Sequence, residues 1–511
     1  MTDQSFIITY IIKRDVCKLG LTDAVDERPF LHVDRPTVRR QGGRSMAAAD
    51  MVRELAEFVG SGNVKTGAAA LAGYFADPVA DTGLVLVRPA DEYELAEVAD
   101  AANAARLPMF SVRREKMEAS LASRDGLLLD LARMDGIKEM DRRNLMGHIF
   151  AGVTYEQLQK ECLKHDCKVL TPANATSRSV LRSYLDRDIL NGNAVYRFPN
   201  LSIFHAVLSD GRIWVSGSQQ MTSEGIADFR EDQGPQFSLF FGASEDIFGI
   251  PFYGIVYLYP LREIRRVLLF GFDSPEPAAQ LAYKLNRDEH CFECITANAR
   301  YLSVLLAGNA GEAGALREKL PAWITAISLE HHTELVDLWE KYVRADAEAA
   351  GATPLDGELT EMMDRKFQEP WYLFDRDYVK GRTSSIQHYD FYSRAPGLLA
   401  AVRDAAKSKG YAPEEVGQVM IPVYFGGSCY CESDLYFDPA SDDEASRAAD
   451  IGRTAYTRLL DEGSFVDRPT GEVAGMVFDR ACEGYIKVLK TFKNIVDPAG
   501  IMNPEQLLEG V

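Results

Sequence analysis

The length of this chain is the feature that most constrains its fold. A single hydrophobic core stops growing at roughly 250 to 300 residues, and longer chains divide into domains. The sequence has 511 residues, of which 46% are hydrophobic and 26% are charged, as in an ordinary globular protein. We therefore expect two large domains, each with a core of its own.

The charge balance of the chain excludes several classes of partner. There are 76 Asp and Glu against 56 Lys and Arg, which gives a net charge of -20, and such a field repels nucleic-acid phosphates and anionic lipid. No stretch approaches the roughly 18 consecutive apolar residues of a membrane span. The apolar run within residues 1–15 lacks the charged leader and cleavage site of a signal peptide, and we interpret it as a strand or partner-binding arm. The sequence predicts a cytoplasmic protein with no membrane span and no nucleic-acid partner.

Two pairs of cysteines have spacings that metal sites also use. Cys291 and Cys294 form a CxxC pair beside His290, and Cys429 and Cys431 form a CxC pair. Soft metals favour thiolate ligands, so a zinc or iron–sulfur site could form if the two pairs met in space. Neither pair stands in a recognised cluster signature, and reduced thiols are the ordinary state in a protein without a secretion signal. We predict no metal.

The first half of the chain alternates strand and helix patterns. Short β-branched strands are predicted at 83–87 and 127–131, with helices at 92–105 and 155–164. Asp210-Gly211 predicts a hairpin turn.

From residue 265 to about 462 the pattern changes. Strands are predicted at 266–272 and within 418–437, with a long helix at 275–286. The Ala/Gly-rich stretch 349–357 is predicted to be a surface loop. This pattern indicates an antiparallel sheet covered by helices.

Seven short segments together carry a family resemblance. They are Val59-Gly-Ser-Gly-Asn-Val64, Val87-Arg-Pro-Ala-Asp-Glu92, Leu128-Leu-Asp-Leu-Ala-Arg-Met-Asp135, Ala151-Gly-Val-Thr-Tyr-Glu-Gln-Leu158, Leu208-Ser-Asp-Gly-Arg-Ile213, the stretch 234–250, and Asn494-Ile-Val-Asp-Pro-Ala-Gly-Ile-Met-Asn-Pro504. The chain resembles the FAD-linked oxidoreductases of the vanillyl-alcohol-oxidase, or p-cresol-methylhydroxylase (PCMH), type. The C-terminal segment is the most specific match.

The resemblance implies an α+β fold with two main domains. We predict an N-terminal extension at 1–50, a two-subdomain PCMH-type FAD-binding domain at 51–264 and a substrate, or cap, domain at 265–465. The cap domain is expected to be an antiparallel sheet covered by helices. A C-terminal segment at 466–511 would return to the FAD-binding domain.

The expected diphosphate loops of this chain contain almost no glycine. Backbone N–H groups wrap a diphosphate closely where φ is positive and no Cβ intervenes, which favours glycine. The first loop carries Arg113, Arg114 and Lys116 instead, and these either clamp the diphosphate through side-chain charge or fill its pocket. The resemblance implies FAD as cofactor, with covalent attachment left open. The predicted cofactor-binding residues are Ser111, Arg113, Arg114, Thr176, Ser177, Ser179, Gly249, Ile250 and Asn503.

The predicted catalytic residues lie in the cap domain and just after it. The resemblance places Arg468 near the flavin pyrimidine and the substrate, where a guanidinium stabilises negative charge; pairing with Asp467 or a helix end is the structural alternative. His388 lies at about the position where some relatives attach flavin covalently, and histidine can also act as a general base. Tyr389 and Tyr430 are predicted on strands, where they either face substrate or simply pack.

Alternation along one of these strands defines its two faces. A period of two puts Tyr430, Glu432, Asp434 and Tyr436 on one face and the cysteines of the CxC pair on the other. One face is expected to line the substrate pocket.

Two functions from different classes follow from the resemblance. The first is an FAD-dependent oxidoreductase that removes a hydride from an alcohol, a phenol or a 2-hydroxy acid, so that the partner is a small-molecule substrate. The second is a flavin-less relative that serves as a structural or regulatory subunit of a hetero-oligomeric complex, together with a flavoprotein or an electron-transfer subunit. A small-molecule binder without redox activity is a third reading. We expect a homo- or hetero-oligomer.

Overall fold

The computed structural model describes residues 48–75, 82–113, 117, 121, 124–172, 177–188, 200–221, 236–371, 376–423, 427–504 and 507. The N-terminal arm predicted within residues 1–15, and nearly all of the predicted extension, lie outside the described residues. Short 3-10 helices occur at Ser61–Asn63, Gly217–Met221, Phe237–Phe240, Asp377–Val379 and Pro413–Glu415.

The first sheet is mixed and lies near the N-terminus of the described chain. The sheet consists of β1 (Val64–Thr66), β2 (Gly83–Val87), β3 (Met109–Ser111) and β4 (Asp125–Leu129), in the spatial order β1-β2-β4-β3. The helices of this region are α1 (Ala48–Val59), α2 (Ala68–Leu71) and α3 (Glu92–Ala105). Strand β4 pairs in parallel with β2 and β3. Helix α3 begins at Asp91, whose carboxylate accepts hydrogen bonds from the backbone N–H groups of Tyr93 and Glu94. The strand predicted at 83–87 and the helix predicted at 92–105 are confirmed.

The second sheet is antiparallel and completes the first half of the molecule. The sheet consists of β5 (Ile137–Asp141), β6 (Met146–Phe150), β8 (Leu201–Val207), β9 (Ile213–Val215) and β10 (Ile250–Tyr257), in the spatial order β5-β6-β10-β8-β9. A separate two-stranded pair is formed by β7 (Cys167–Lys168) and β11 (Tyr259–Pro260). The helices of this region are α4 (Tyr155–Leu163) and α5 (Val180–Leu185). A capping box of Thr154 and Gln157 starts α4. The predicted turn at Asp210-Gly211 is confirmed. Gly211 has φ 78°, and a Cβ there would lie 2.7 Å from the carbonyl oxygen of Ala96, so the turn can pack on α3 only with glycine.

The third sheet is antiparallel and forms the cap half. Its strands, β12 (Ile264–Phe272), β13 (Glu293–Asn298), β14 (Trp323–His331), β15 (Thr353–Leu355), β16 (Arg382–Phe391), β17 (Gly417–Val423) and β18 (Ser428–Phe437), lie in the order β15-β12-β14-β13-β17-β18-β16. The loop predicted at 349–357 is in part wrong, because β15 lies inside it and pairs with the edge of β12. A strand of three residues has too short a pattern to stand out in the sequence.

Helices cover both faces of the cap sheet. One face is covered by helices α6 (Pro275–Arg287), α9 (Thr333–Ala349), α11 (Ala395–Ser408) and α12 (Asp442–Asp461). The other face is covered by α7 (Ala299–Leu306) and α10 (Glu358–Gln368), and α8 (Ala310–Arg317) follows α7 along the chain. The antiparallel sheet covered by helices, which the sequence predicts, is thereby confirmed. No helix in the described part of the chain is long and apolar enough to cross a membrane.

The C-terminal segment packs on the first half of the molecule, and Val466, Val473, Met476 and Val477 within it also pack on the cap core. Helices α13 (Gly471–Phe478) and α14 (Glu483–Val496) and the tail after them contribute side chains to the core that residues 51–258 form. The tail also pairs with strand β3, since the backbone N–H of Met109 donates to Ile501 at 2.7 Å and that of Asn503 donates to Met109 at 2.8 Å. The cap cores draw on residues between 264 and 477.

Candidate functional site

Two neighbouring cavities lie where the cap sheet, the first half and the C-terminal segment meet. The larger, of about 660 Å³, is lined by the stretch 239–248, by 464–469 and by helices α13 and α14. The smaller, of about 360 Å³, is lined by aromatic side chains of the cap, Tyr389 and Phe391 among them. Arg187, Phe465 and Asp467 line both cavities. A cleft of this size, apolar with a few charged groups, is typical of a small-molecule site.

The side chain of Arg468 is 8% exposed, comes directly after the cavity-lining residue Asp467, and links the C-terminal segment to the first half of the molecule. Its Nη1 donates to Asp188 Oδ1 at 2.7 Å. Burial opposes the charge of Arg468, but Asp188 and the rings of Tyr389 and Tyr430 outweigh it and raise the pKa of the guanidinium. The hydrogen-bond partner of Arg468 is therefore Asp188 and not Asp467 or a helix end. Asp467 instead pairs with Arg187 at 2.8 Å. A fixed positive charge stands where the first half meets the cap.

Tyr389 and Tyr430 face this arginine from adjacent strands. Their rings pack edge to face with centroids 5.5 Å apart, and Tyr389 also packs against Phe465. The hydroxyl of Tyr430 donates to Glu432. Burial and the Glu432 carboxylate raise the pKa of Tyr430, so the phenol stays protonated.

A buried acidic pair continues this face of strand β18. Arg376 Nη1 donates to Glu432 at 2.9 Å and also to Asp434. Burial opposes ionisation of both carboxyls, and Arg376 nevertheless holds the pKa of Glu432 below its usual range. Burial, offset in part by Arg376, raises the pKa of Asp434 to about 7. The predicted face of Tyr430, Glu432, Asp434 and Tyr436 is confirmed by these contacts.

His388 lies on the opposite face of the sheet from Tyr389. It is fully buried and lies beside its cross-strand neighbour Cys431. The structure therefore does not bring His388 together with Arg468, Tyr389 and Tyr430. Its catalytic role stays a prediction that this placement does not support.

Ser111 and Arg113 of the first predicted loop enter a buried charge cluster. The hydroxyl of Ser111 donates to Asp246 at 2.5 Å. Arg113 donates to Glu245 and, at 3.3 Å, to Asp186. Burial opposes its charge, but Asp186 and Glu245 outweigh this and raise the pKa of Arg113. Arg114, Lys116 and Thr176 lie outside the described residues.

The same cluster contains an arginine and an asparagine from two other segments. Arg182 of helix α5 donates to Asp246, and the side-chain amide of Asn503 donates to the backbone carbonyl of Glu245. Ala243, Glu245 and Asp246 have φ values of 55°, 56° and 57°. Three left-handed non-glycine residues within four positions are uncommon, and such backbone strain concentrates at ligand sites.

The other predicted cofactor residues have structural contacts. Ser179 is the N-cap of helix α5 and its hydroxyl also donates to the Ala151 carbonyl at 2.5 Å, while Ser177 accepts from the backbone N–H of Ser179 at 3.1 Å. Gly249 and Ile250 are buried where strand β10 begins. Binding roles for these residues stay predictions.

Buried polar atoms without a partner test whether this cluster fits the diphosphate of FAD. Arg113 Nε and Arg182 Nη2 are buried N–H donors without a hydrogen-bond partner, and Asn503 Oδ1 is a buried acceptor without one. Guanidinium donors are the groups that a diphosphate accepts from. The donors left for a diphosphate are thus side-chain N–H groups of Arg113 and Arg182 rather than a glycine-lined backbone, and a diphosphate would have to displace the carboxylates of Asp186, Glu245 and Asp246.

Several residues of the site could not be identified from local sequence patterns. Arg182, Asp186, Asp188, Glu245 and Arg376 were not singled out, and their partners lie up to 280 residues away. One signal was available, since Arg182 interrupts the apolar run of a helix whose residues are all buried.

Comparison with known proteins finds one matching family model and several solved structures of similar fold. Residues 84–181 match the family model described as "FAD binding domain". The structure of p-cresol methylhydroxylase with substrate bound is similar with a TM-score of 0.76 and 16% identity, over 90% of this chain and 96% of that chain. The 4-ethylphenol oxidase from Gulosibacter chungangensis, in its isoeugenol complex, has a TM-score of 0.77 and 15% identity, over 91% of this chain and 98% of that chain. A structure of alkyldihydroxyacetonephosphate synthase has a TM-score of 0.66 and 14% identity, over 94% of this chain and 88% of that chain.

A search of curated protein sequences finds no match. The chain carries an FAD-binding domain and has the fold of FAD-linked oxidoreductases. More particularly, it has the PCMH-type fold, so the resemblance to the vanillyl-alcohol-oxidase, or p-cresol-methylhydroxylase, type is confirmed, together with the α+β fold class and FAD as the cofactor of this domain. At these identities the structural similarity is one of fold, and the substrate must be inferred from the site.

Proposed function

We propose that this protein is an FAD-dependent oxidoreductase that removes a hydride from an alcohol, a phenol or a 2-hydroxy acid. The observation that carries the proposal is the position of Arg468. Its guanidinium pairs with Asp188 of the first half and lies near two tyrosines of the cap, and its chain neighbours Asp467 and Pro469 line the cavity of about 660 Å³. A preorganised cation in a water-poor cleft stabilises an anionic substrate group more strongly than it would in water.

The residues of the chain have separate tasks in this proposal. FAD, when bound, would supply the hydride acceptor, and Arg113 and Arg182 would hold its diphosphate, while Asn503 fixes the Glu245 backbone beside them. Arg468 fixes a substrate carboxylate or phenolate. Tyr430 keeps its proton directed at Glu432, and Tyr389 provides an aromatic wall. We give His388 no part in the reaction because it lies on the other face of the sheet.

The absorption spectrum of the purified full-length protein is the first test. We expect a flavin spectrum either as purified or after incubation with FAD followed by desalting, and we expect denaturation to release the flavin. A preparation that stays colourless after FAD and desalting would contradict the proposal.

Arg468→Ala tests the catalytic assignment. Loss of one preorganised donor of this kind typically lowers a rate by about a hundredfold or more, so we expect slower flavin reduction by the best substrate in a panel of 4-alkylphenols, alcohols and 2-hydroxy acids. Flavin retention should change little. Arg453→Ala, at an exposed arginine paired with Glu472, is the matched control. If Arg468→Ala does not fold, Arg468→Lys is the substitute variant. It keeps the positive charge beside Asp188 and loses only the planar, bidentate guanidinium group.

The flavin-less subunit is the second candidate, and one observation favours it. Glu245 and Asp186 already engage both terminal nitrogens of Arg113, and Asp246 engages Ser111. A diphosphate would have to compete with these carboxylates. This reading predicts a colourless chain that co-purifies with a flavoprotein or an electron-transfer subunit, whereas the oxidoreductase needs no such partner. Light scattering after size-exclusion chromatography separates the two assemblies.

A further inference from the structure

A row of three buried polar side chains in the first half leads to Arg468. The hydroxyl of Tyr155 donates to Ser183 at 2.8 Å, and the hydroxyl of Ser183 donates to Asp188 Oδ2 at 2.7 Å. The other oxygen of that carboxylate accepts the hydrogen bond from Arg468. Tyr155, Ser183 and Asp188 are all buried. Because a buried polar group is costly unless it is hydrogen-bonded, each member of the row depends on the next.

The direction of the hydrogen bonds in this row follows from the protonation of Tyr155. Burial raises the pKa of Tyr155, and the nearby Asp188 carboxylate acts in the same direction, although the hydrogen bond with Ser183 opposes both. The phenol therefore keeps its proton and donates it to the Ser183 oxygen. The single hydroxyl proton of Ser183 is then left for Asp188, so the row ends on the carboxylate that holds Arg468.

The main chain fixes the same residues. The backbone N–H of Asp188 donates to the Ser183 carbonyl at 2.9 Å, so Ser183 holds Asp188 through both its backbone and its side chain. The backbone N–H of Tyr155 donates at 3.0 Å to the carbonyl of Arg178, just before helix α5, which ties the start of helix α4 to that helix. Two helices of the first half thus set the position of Asp188.

We propose that Ser183 and Tyr155 are positioning residues for Arg468 and act on it through Asp188. The inference rests on the proposed function, in which Arg468 fixes a substrate carboxylate or phenolate. A carboxylate that accepts from Ser183 is held in one rotamer, and it holds the guanidinium in one orientation. Tyr155 and Ser183 touch no substrate in this role and keep their protons throughout.

The probe for the test is 4-nitrophenol, because its phenolate form absorbs visible light and its neutral form does not. Full-length protein incubated with FAD is saturated with the probe and titrated with acid and base, and difference spectra give the ionisation constant of the bound probe. In the wild type, Arg468 should hold the pKa of the bound probe below that of the free probe.

Ser183→Ala removes the hydroxyl that donates to Asp188. Loss of a hydrogen bond to a charged group typically changes an equilibrium by about tenfold or more, so the ionisation constant of the bound probe should fall about tenfold. Tyr155→Phe acts one step further away and should change it in the same direction by less.

Tyr184→Phe is the matched control for Tyr155→Phe. Tyr184 is buried as well, and its ring packs edge to face on that of Tyr155 with centroids 6.2 Å apart, but its hydroxyl donates to the Leu170 carbonyl. Each of the two variants loses one buried hydrogen bond, so their thermal midpoints should fall alike. Only Tyr155→Phe should change the ionisation of the probe.

Three outcomes would overturn the inference. They are a Ser183→Ala protein that ionises the bound probe as the wild type does, an equal change in Tyr184→Phe and Tyr155→Phe, and a wild-type chain that does not bind the phenolate form. If Ser183→Ala does not fold, the comparison of Tyr155→Phe with Tyr184→Phe gives the answer, because each loses a single oxygen atom. Failure of the proposed function gives a different result, since a chain that stays colourless with FAD still reports the row behind Arg468 through the probe.

Discussion

Single buried charges decide much of the chemistry of this protein. Arg376 contacts two carboxylates, Glu432 and Asp434, that are both buried. One guanidinium does not balance two negative charges in a water-poor interior, so one of the two acids keeps its proton. Asp434 is that acid, since burial raises its pKa to about 7.

Asp434 makes stability depend on pH in a defined direction. The unfolded carboxyl titrates near 3.9, so between about pH 4 and 7 the folded state holds a proton that the unfolded state has released. The contribution of Asp434 is fully present below about pH 4 and is lost as the pH rises through 7. Asp434→Asn removes this titration, and we expect its thermal midpoint to fall less than that of wild type between pH 5 and pH 8.

Asp404→Asn, at a carboxyl that is 73% exposed, is the control for this change. It should follow the wild-type pH profile. An unchanged profile in Asp434→Asn would show that this carboxyl is ionised throughout.

At the scale of elements, the turn between strand β6 and helix α4 requires glycine. A Cβ on Gly152 would lie 2.8 to 2.9 Å from the backbone carbonyl oxygens of Leu131, Ala132 and Met134. Backbone atoms cannot move aside cheaply. The turn also receives a hydrogen bond, from the N–H of Gly152 to the Met134 carbonyl at 2.8 Å, so both segments are fixed.

We therefore expect Gly152→Ala to destabilise the first half of the molecule. Overpacking of this kind costs about 1 to 3 kcal/mol, and a lowered midpoint of thermal unfolding would report it. Gly475→Ala in helix α13 is the matched control, because its added Cβ meets no atom within 4 Å and alanine is the better helix former, by up to about 1 kcal/mol. Equal midpoints for the two variants would contradict the packing argument.

At the scale of the whole molecule, ion pairs join the first half to the cap. Glu330 of strand β14 accepts from Lys168 of the first half and from Arg265 of the cap. Burial lowers the pKa of Lys168, and Glu330 offsets part of that effect. Arg468 and Asp188 form a second link beside the cleft. Lys168 and Asp188 of the first half are thus each paired with a charged residue from beyond position 264.

Glu330→Gln should weaken this junction. It leaves two cations close together with one fewer anion, and breaking a buried pair by removing one partner costs about 3 to 5 kcal/mol. We expect a lower calorimetric midpoint and separate transitions for the two halves. Glu263→Gln, at a glutamate that is 53% exposed and contacts His332, should leave the midpoint almost unchanged; a similar loss in both variants would contradict a special role of the junction.

The sequence by itself determined the types of the main elements and the fold class. Local signals are sufficient for these, because the caps at Asp91 and Thr154, the turn at Gly211 and the period of two along strand β18 depend on residues a few positions apart. The short edge strand β15 was missed because its stability comes from pairing with β12, about 80 residues earlier in the chain.

Only the tertiary structure decided which side chains meet. Arg468 and Asp188 are 280 residues apart, and Arg113 and Glu245 are 132 apart. No local pattern records such pairs, since burial and the choice of partner depend on how whole elements pack. For the same reason, the structure alone placed His388 on the face away from Tyr389 and brought the two cysteine pairs into one core.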